Sequence, residues 1–156
     1  MRSNEGYHYF FKYALAGFAV LIASFSITSW FDPESITMNG EPGTRDLVLT
    51  VVTSLVSVLF FLFFLLIKDK FAIVELSNQS IKIEHLGEED VIPWRDIEYV
   101  KLIQFVSPPL YRLKVKSWDE TIWFNTQPHY FEFNGFVSDQ SDMADLIKKK
   151  KRELGI

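Results

Sequence analysis

Two long stretches without a formal charge decide most of what this chain can become. Residues 13–31 make one run of nineteen, and Leu47–Ile67 makes a second of twenty-one. The hydrocarbon core of a bilayer is ~30 Å thick and takes about 20 apolar residues of helix, so both runs are long enough to cross it. In the second, LVLTVVTSLVSVLFFLFFLLI, only Thr50, Thr53, Ser54 and Ser57 interrupt the apolar sequence. A helix buried in a soluble core would carry a polar stripe, and this one has none. The first run follows Arg2 and Lys12, as the core of a cleaved signal peptide would. It is longer than such a core, however, ends in Ser29-Trp30-Phe31, and is followed by a second span. The expectation is a transmembrane hairpin.

The flanking charges orient it. Lys12 precedes the first run, Lys68 and Lys70 follow the second, and the connecting loop holds only Arg45 among the four carboxylates Asp32, Glu34, Glu41 and Asp46. Lys and Arg near span ends stay cytoplasmic, which puts both termini inside and residues 32–46 outside a multi-pass protein of the inner (plasma) membrane. Trp30 and Phe31 at one end and Tyr13 at the other match interfacial aromatic anchors. Ala16, Ala19, Ala23 and Ser26 share one helical face, and Thr50, Ser54 and Ser57 share another. Small residues let helix backbones approach closely, so these faces should meet. Asp32-Pro33, Asn39-Gly40 and Pro42-Gly43 supply turn formers for the loop. Neither run contains the ionisable side chains that pumps and transporters use.

After Lys70 the period shortens. Phe71 to Leu76, Ile81 to Leu86, Val91 to Trp94, Ile97 to Ile103, Leu110 to Lys116 and Thr121 to Thr126 are short runs, several of them β-branched and alternating, separated by turn signals. Strands at such intervals without intervening helices predict an antiparallel sheet or open barrel. A final helix over 139–154 follows, capped by Ser138 or Ser141, acidic at its start, basic over residues 148–152, with Met143, Leu146, Ile147 and Leu154 on one stripe and Gly155 as its stop. The expected fold class is therefore α+β. Residues 1–70 hold an N-terminal tail and the membrane hairpin, and residues 71–156 a cytosolic β domain closed by a helix.

This outline resembles the pleckstrin-homology-like (PH-like) fold. Ile92-Pro93-Trp94-Arg95-Asp96-Ile97 resembles an Ile-x-Trp-x-Asp/Ser-Ile segment of bacterial PH-like domains, which commonly follow a pair of transmembrane helices in small envelope proteins. Residues 125–130, an Asn and a Pro followed by an aromatic, are similar to the stretch before the last strand in some members. The resemblance implies that Trp94 and Ile97 are core residues, with the tryptophan plugging the sheet.

Little in the sequence points to catalysis. There is no Cys, which removes thiolate metal sites and a Cys nucleophile, and a net charge of −4 gives no reason to expect nucleic acid. His8, His85 and His129 lack metal-ligand spacing. No serine lies in a Gly-x-Ser-x-Gly elbow, and no glycine-rich loop forms a phosphate cradle. Glu88, Glu89 and Asp90 fall in an expected exposed turn after Gly87. No catalytic, cofactor or metal residues are assigned, and no cofactor. Lys68, Lys70, Lys148, Lys149, Lys150, Lys151 and Arg152 are candidate lipid-surface contacts, since anionic lipids attract each nearby cation by ~1 kcal/mol. Lysines that fan round a helix end also stay simply solvated. The expected function is a non-catalytic interaction module anchored in the inner membrane, binding a protein partner in an envelope complex. Anionic-lipid or membrane-surface binding is the alternative, and an immunity-type protein against a membrane-acting toxin a third. The expected partners are the bilayer and a protein, with no nucleic acid. The full chain should sediment with membranes and require detergent for release; recovery in the supernatant after ultracentrifugation without detergent would overturn the hairpin reading.

Overall fold

The computed structural model describes residues 1–38, 40–127, 129–134 and 136–155. The chain is α+β and divides into two compact units, Phe11–Lys68 and a second that joins Met1–Phe10 to Asp69–Ile156. The first ten residues group with the β unit rather than with the hairpin.

Helix α1 (Glu5–Phe31) starts eight positions before the uncharged run. Asn4 explains the start: its Oδ1 accepts the Tyr7 N–H at 2.9 Å, and Glu5 lies in the first turn, where the helix dipole favours an anion. His8, expected in a tail, is a buried residue of this helix. A single 3₁₀ turn (Pro33–Ser35) leads to a minimal hairpin of β1 (Thr37–Met38) and β2 (Glu41–Pro42). Asn39, half of one expected turn pair, lies outside the described residues. Gly43 is required by close approach. Its N–H donates to the Ile36 carbonyl at 2.7 Å, and an added Cβ would stand 2.6 Å from the Pro33 carbonyl oxygen. Asp46 then caps α2 (Leu47–Ile67), accepting the Leu49 N–H at 3.0 Å.

The expected small-residue faces meet. The Ser57 hydroxyl donates to the Ala19 carbonyl at 2.8 Å, and Ser26 donates to the Thr50 carbonyl at 3.0 Å while its hydroxyl lies 2.7 Å from that of Ser54. Such bonds are possible only because Ala19, Ser26 and Ser57 hold no bulk between the helices. Tyr13 packs on Phe64 and Phe18 on Phe60, further contacts between the two helices. Both helices are long and apolar enough to cross a membrane, and only 11% and 6% of their most apolar windows are buried. A core helix of a soluble protein would be mostly buried.

In the β unit, β3 (Ile73–Leu76), β4 (Ser80–His85) and β5 (Glu88–Pro93) form one antiparallel sheet. β6 (Ile97–Ile103), β7 (Leu110–Val115) and β8 (Thr121–Asn125) form another. Alternation places Ile81 and Ile83 inward beside Val74 and Leu76, while Leu113, Val115, Ile122 and Phe124 line the opposing face. The Ala72 N–H donates to the Trp123 carbonyl at 2.9 Å and Phe71 meets the Trp123 ring edge-on, so the start of β3 is tied to β8. A third pair, β9 (Tyr130–Phe133) and β10 (Phe136–Asp139), is antiparallel. Helix α3 (Asp142–Leu154) follows: Ser141 caps it by accepting the Ala144 N–H, and Gly155 ends it in the left-handed conformation at φ +71°. Met143, Ala144, Leu146 and Ile147 are its buried face, joined to the same core.

Two features correct the expected layout. Leu86 (φ +54°) and Gly87 (φ +87°) reverse the chain in two residues, a geometry suited to a tight hairpin. Glu88, Glu89 and Asp90 therefore leave the turn at once and pair along β5 with His85, Glu84 and Ile83. Lys82 holds Glu89 at 2.9 Å, an exposed contact that raises the lysine above its ordinary pKa. The N-terminal residues, moreover, extend the first sheet. The Ser3 N–H donates to the Val74 carbonyl at 2.8 Å, the Val74 N–H returns to Ser3 Oγ at 2.9 Å, and the Leu76 N–H donates to the Met1 carbonyl at 2.6 Å. These bonds cover an edge that would otherwise expose unpaired backbone. Ser3→Pro removes both the N–H and the hydroxyl and is expected to cost about 1–3 kcal/mol. Hydrogen exchange at the Val74 and Leu76 amides should accelerate, with β7 unchanged; unaltered protection at Val74 would show that residues 1–3 are not an integral strand.

Candidate functional site

The deepest polar cluster of the β unit lies where β7, β8, β10 and the start of α3 converge. Asp139 is 2% exposed. Its Oδ2 accepts the Thr126 hydroxyl at 2.5 Å, its Oδ1 accepts the Ser141 N–H at 2.9 Å, and burial together with the Asp139 charge raises the pKa of the nearby Tyr111 phenol. A carboxylate taken out of water needs such donors, and the first turn of α3 adds a favourable dipole. Asn125 lies beside this cluster in sequence, donating to the Pro109 carbonyl at 2.9 Å. Residues 125–130, singled out by the resemblance, thus contain a buried Asn and Thr; Pro128 of that stretch lies outside the described residues.

Above this junction is a cleft of about 220 Å³, lined by Val100 and Leu102 of β6, Tyr111, Val137 to Asp139, and Ile147, Lys148 and Lys151 of α3. β6 pairs with β7 and, among the described residues, with no other strand. One edge of β6 therefore has no strand partner among the described residues. A wider hollow of about 450 Å³ lies elsewhere on the unit, between His85 with Leu86 and the carboxylates Glu88, Asp90, Asp119 and Glu120. Trp118 forms one wall, its ring stacked on His85, whose Nε2 bonds the Asp69 carbonyl. Among the described residues no group of three or more His, Asp or Glu is placed to hold a metal. His8, His85 and His129 are not brought together: His8 is buried in α1, His85 lines the acidic hollow and His129 is an exposed loop residue.

The candidate cations separate as well. Lys68 caps α2 in the hairpin unit, and the other six lie in the β unit. The Lys70 ammonium sits 5.6 Å from the centre of the Trp123 ring. Successive residues on a helix point about 100° apart, so the run on α3 fans out. Lys148 and Lys151 share the cleft, Lys150 pairs with Glu153 at 2.7 Å and lowers that carboxyl's pKa, and Lys149 and Arg152 are exposed. Trp94 and Ile97 are core residues, 4% and 0% exposed. The Trp94 indole N–H donates to the Ser77 carbonyl at 2.8 Å, which fixes the ring under the β3–β4 turn.

The β9–β10 hairpin was outside the expected strands. Its outward face carries Phe131, Phe133 and Phe136, 57%, 65% and 59% exposed, joined by Phe105 from the β6–β7 loop at 69%. The Phe105 and Phe136 rings stand 5.0 Å apart. Opposite partners in the register share a face, so Phe133 lies with Phe136 and Phe131 with Ser138, while Val137 and Asp139 point inward. The signal is present in the sequence: Tyr-Phe-Glu-Phe, then Asn134-Gly135, then Phe-Val-Ser-Asp is an alternating pair around a favoured turn dipeptide.

Comparison with known proteins finds no family model, no curated protein and no solved structure that matches this chain.

The buried junction makes stability depend on pH. Burial, and then the Asp139 carboxylate, push the Tyr111 phenol well above its ordinary range near 10. The unfolded chain sheds this proton at about pH 10 while the folded chain keeps it, so the contribution of Tyr111 is whole below pH 10 and falls as pH rises beyond it, by up to about 1.4 kcal/mol per unit. In Tyr111→Phe, the stability deficit of about 1 kcal/mol at pH 8, from the lost buried phenol, should shrink and reverse above pH 10. Denaturant titration followed by near-ultraviolet circular dichroism would measure it. A deficit independent of pH would remove the phenol from the buried junction.

Proposed function

We propose that this chain is a non-catalytic interaction module anchored in the bacterial inner membrane. In this reading α1 and α2 cross the bilayer as a hairpin with both termini cytoplasmic, and the β unit, a PH-like domain, binds a protein partner. The observation that carries the protein-binding reading is the unpaired edge of β6 beside the apolar floor of the α3 cleft. Strand addition supplies main-chain hydrogen bonds at such an edge, and the neighbouring hollow selects side chains. Val100, Leu102 and Val137 would receive an apolar residue of the incoming segment. The hairpin topology is supported by the pairing of residues 1–3 with β3, because chain segments before α1 and after α2 that share one sheet must lie on the same side of any bilayer crossed between them. The lysine bias then assigns that side to the cytoplasm. The PH-like reading is supported by two small sheets closed by a C-terminal helix, with Trp94 and Ile97 in the core.

A photo-crosslinking side chain at exposed Lys101, on β6, should capture a discrete partner in native membranes, and Leu102→Asp should reduce capture at least tenfold. Capture of nothing from native membranes, or capture unaffected by Leu102→Asp, would end the edge-binding reading.

Anionic-lipid binding by the β unit is a second reading, favoured by the exposure of Lys70, Lys149 and Arg152. It is tested by flotation with anionic and neutral vesicles of a β unit that retains residues 1–3, since the first sheet includes them.

A further inference from the structure

We infer that the aromatic face of the β9–β10 hairpin, Phe131, Phe133 and Phe136 with Phe105 of the neighbouring loop, is a membrane-inserting surface that takes the headgroup–acyl boundary of an anionic bilayer as its ligand. The inference rests on the membrane-anchored reading above and adds a contact that the hairpin helices do not make.

Four phenylalanines more than half exposed on one face are costly in water, and such a patch marks a surface that is covered in use. Size bears on what covers it. At ~150–250 Å² a ring and the exposures observed, the four offer about 500 Å². A stable protein interface takes roughly 800 Å² from each partner. The patch is small for a second copy or a tightly bound protein, and sufficient for reversible insertion beside a tether. Composition agrees. Protein-binding hot spots favour Trp, Tyr and Arg, whose polar tips find partners across an interface. All four side chains here are plain benzyl groups, which ask only for an apolar solvent.

Charge gives the lipid its sign. Ser138 shares the outward face with Phe131, and it lines the α3 cleft with Lys148 and Lys151. Apolar rings on a hairpin whose other side meets the lysine-bearing cleft suit an interface with an anionic surface and a hydrocarbon interior, although Lys148 also pairs with Asp145 at 3.3 Å. Connectivity keeps this ligand at hand, because only residues 68–72 separate α2 from β3. A weak surface contact held at such short tether is strengthened by effective concentration rather than by intrinsic affinity.

The absence of cysteine makes the test direct. A single cysteine is placed by Phe133→Cys in the full chain, spin-labelled, and reconstituted in vesicles of phosphatidylethanolamine and phosphatidylglycerol. Asn78→Cys, on the exposed β3–β4 turn, is the aqueous reference, and Leu62→Cys, on α2, reports the anchor. Accessibility to molecular oxygen, which concentrates in lipid, is compared with accessibility to a water-soluble nickel chelate. The label at 133 should be several-fold less accessible to the chelate than that at 78, and the difference should shrink in phosphatidylcholine vesicles or in Lys148→Glu/Lys151→Glu. A label at 133 as open to the chelate as that at 78 overturns the inference while the label at 62 stays shielded. Exposure of the label at 62 overturns the anchored reading itself. Shielding at 133 that rises with protein-to-lipid ratio assigns the face to a second copy, and shielding found only in native membranes assigns it to another protein; either result also overturns the inference. Phe131→Ser/Phe136→Ser, made at exposed positions, should restore chelate access at 133 without changing the thermal unfolding of the β unit.

Discussion

A backbone group removed from water must find a partner, and this constraint shapes both units. In α1 and α2 the partners are internal to each helix, the arrangement that permits a long apolar segment to leave water at all. Of the side chains that remain polar there, Ser26, Ser54 and Ser57 form hydrogen bonds across the helix seam. In the β unit the same requirement appears at edges. β3 would end the first sheet with open N–H and C=O groups, and residues 1–3 satisfy them. Asp139 obeys the rule in its costlier, charged form, collecting a hydroxyl donor from Thr126 and an amide donor from Ser141.

The elements legible in the sequence were those specified locally. Absence of charge marked α1 and α2, small residues marked the seam, and alternation marked β4, β7 and β8. What escaped depended on distant partners or on competing local cues. Met1 to Ser3 carry no strand pattern of their own, and their extended form is set by β3, more than seventy positions away. His8 lies ahead of the uncharged run, yet the Asn4 cap extends the helix over it. Glu88 to Asp90 look like turn residues by composition, but Leu86 and Gly87 complete the reversal before them. β9 and β10 lie outside the expected strands although Asn134-Gly135 is a strong turn signal in the sequence; their apolar alternation falls on the outward face. A strand whose solvent side is greasy breaks the alternation rule that strand recognition relies on, and such violations are expected at functional surfaces.

The surfaces of the β unit differ in kind. The β6 edge offers backbone, the α3 cleft offers a small apolar floor with two ammonium groups at its rim, and the hollow beside Trp118 is lined by carboxylates. None brings together the nucleophile, base and oxyanion donors of a hydrolytic centre. Recognition, in the proposed reading, is divided between a polypeptide at the sheet edge and lipid at the aromatic face, with the core around Trp94 and Ile97 serving to hold both in place.

The pairing of residues 1–3 with β3 also sets an order on biosynthesis. Residues 1–3 leave the ribosome well before Val74 and Leu76, their partners, which emerge only after both long helices have been made. The first sheet therefore cannot close during early translation, and its outer strand waits with exposed amides until the whole apolar portion has been placed. A chain stalled or cleaved between the two helices would hold an orphaned strand and no sheet to receive it, so the finished fold certifies that the hairpin was completed.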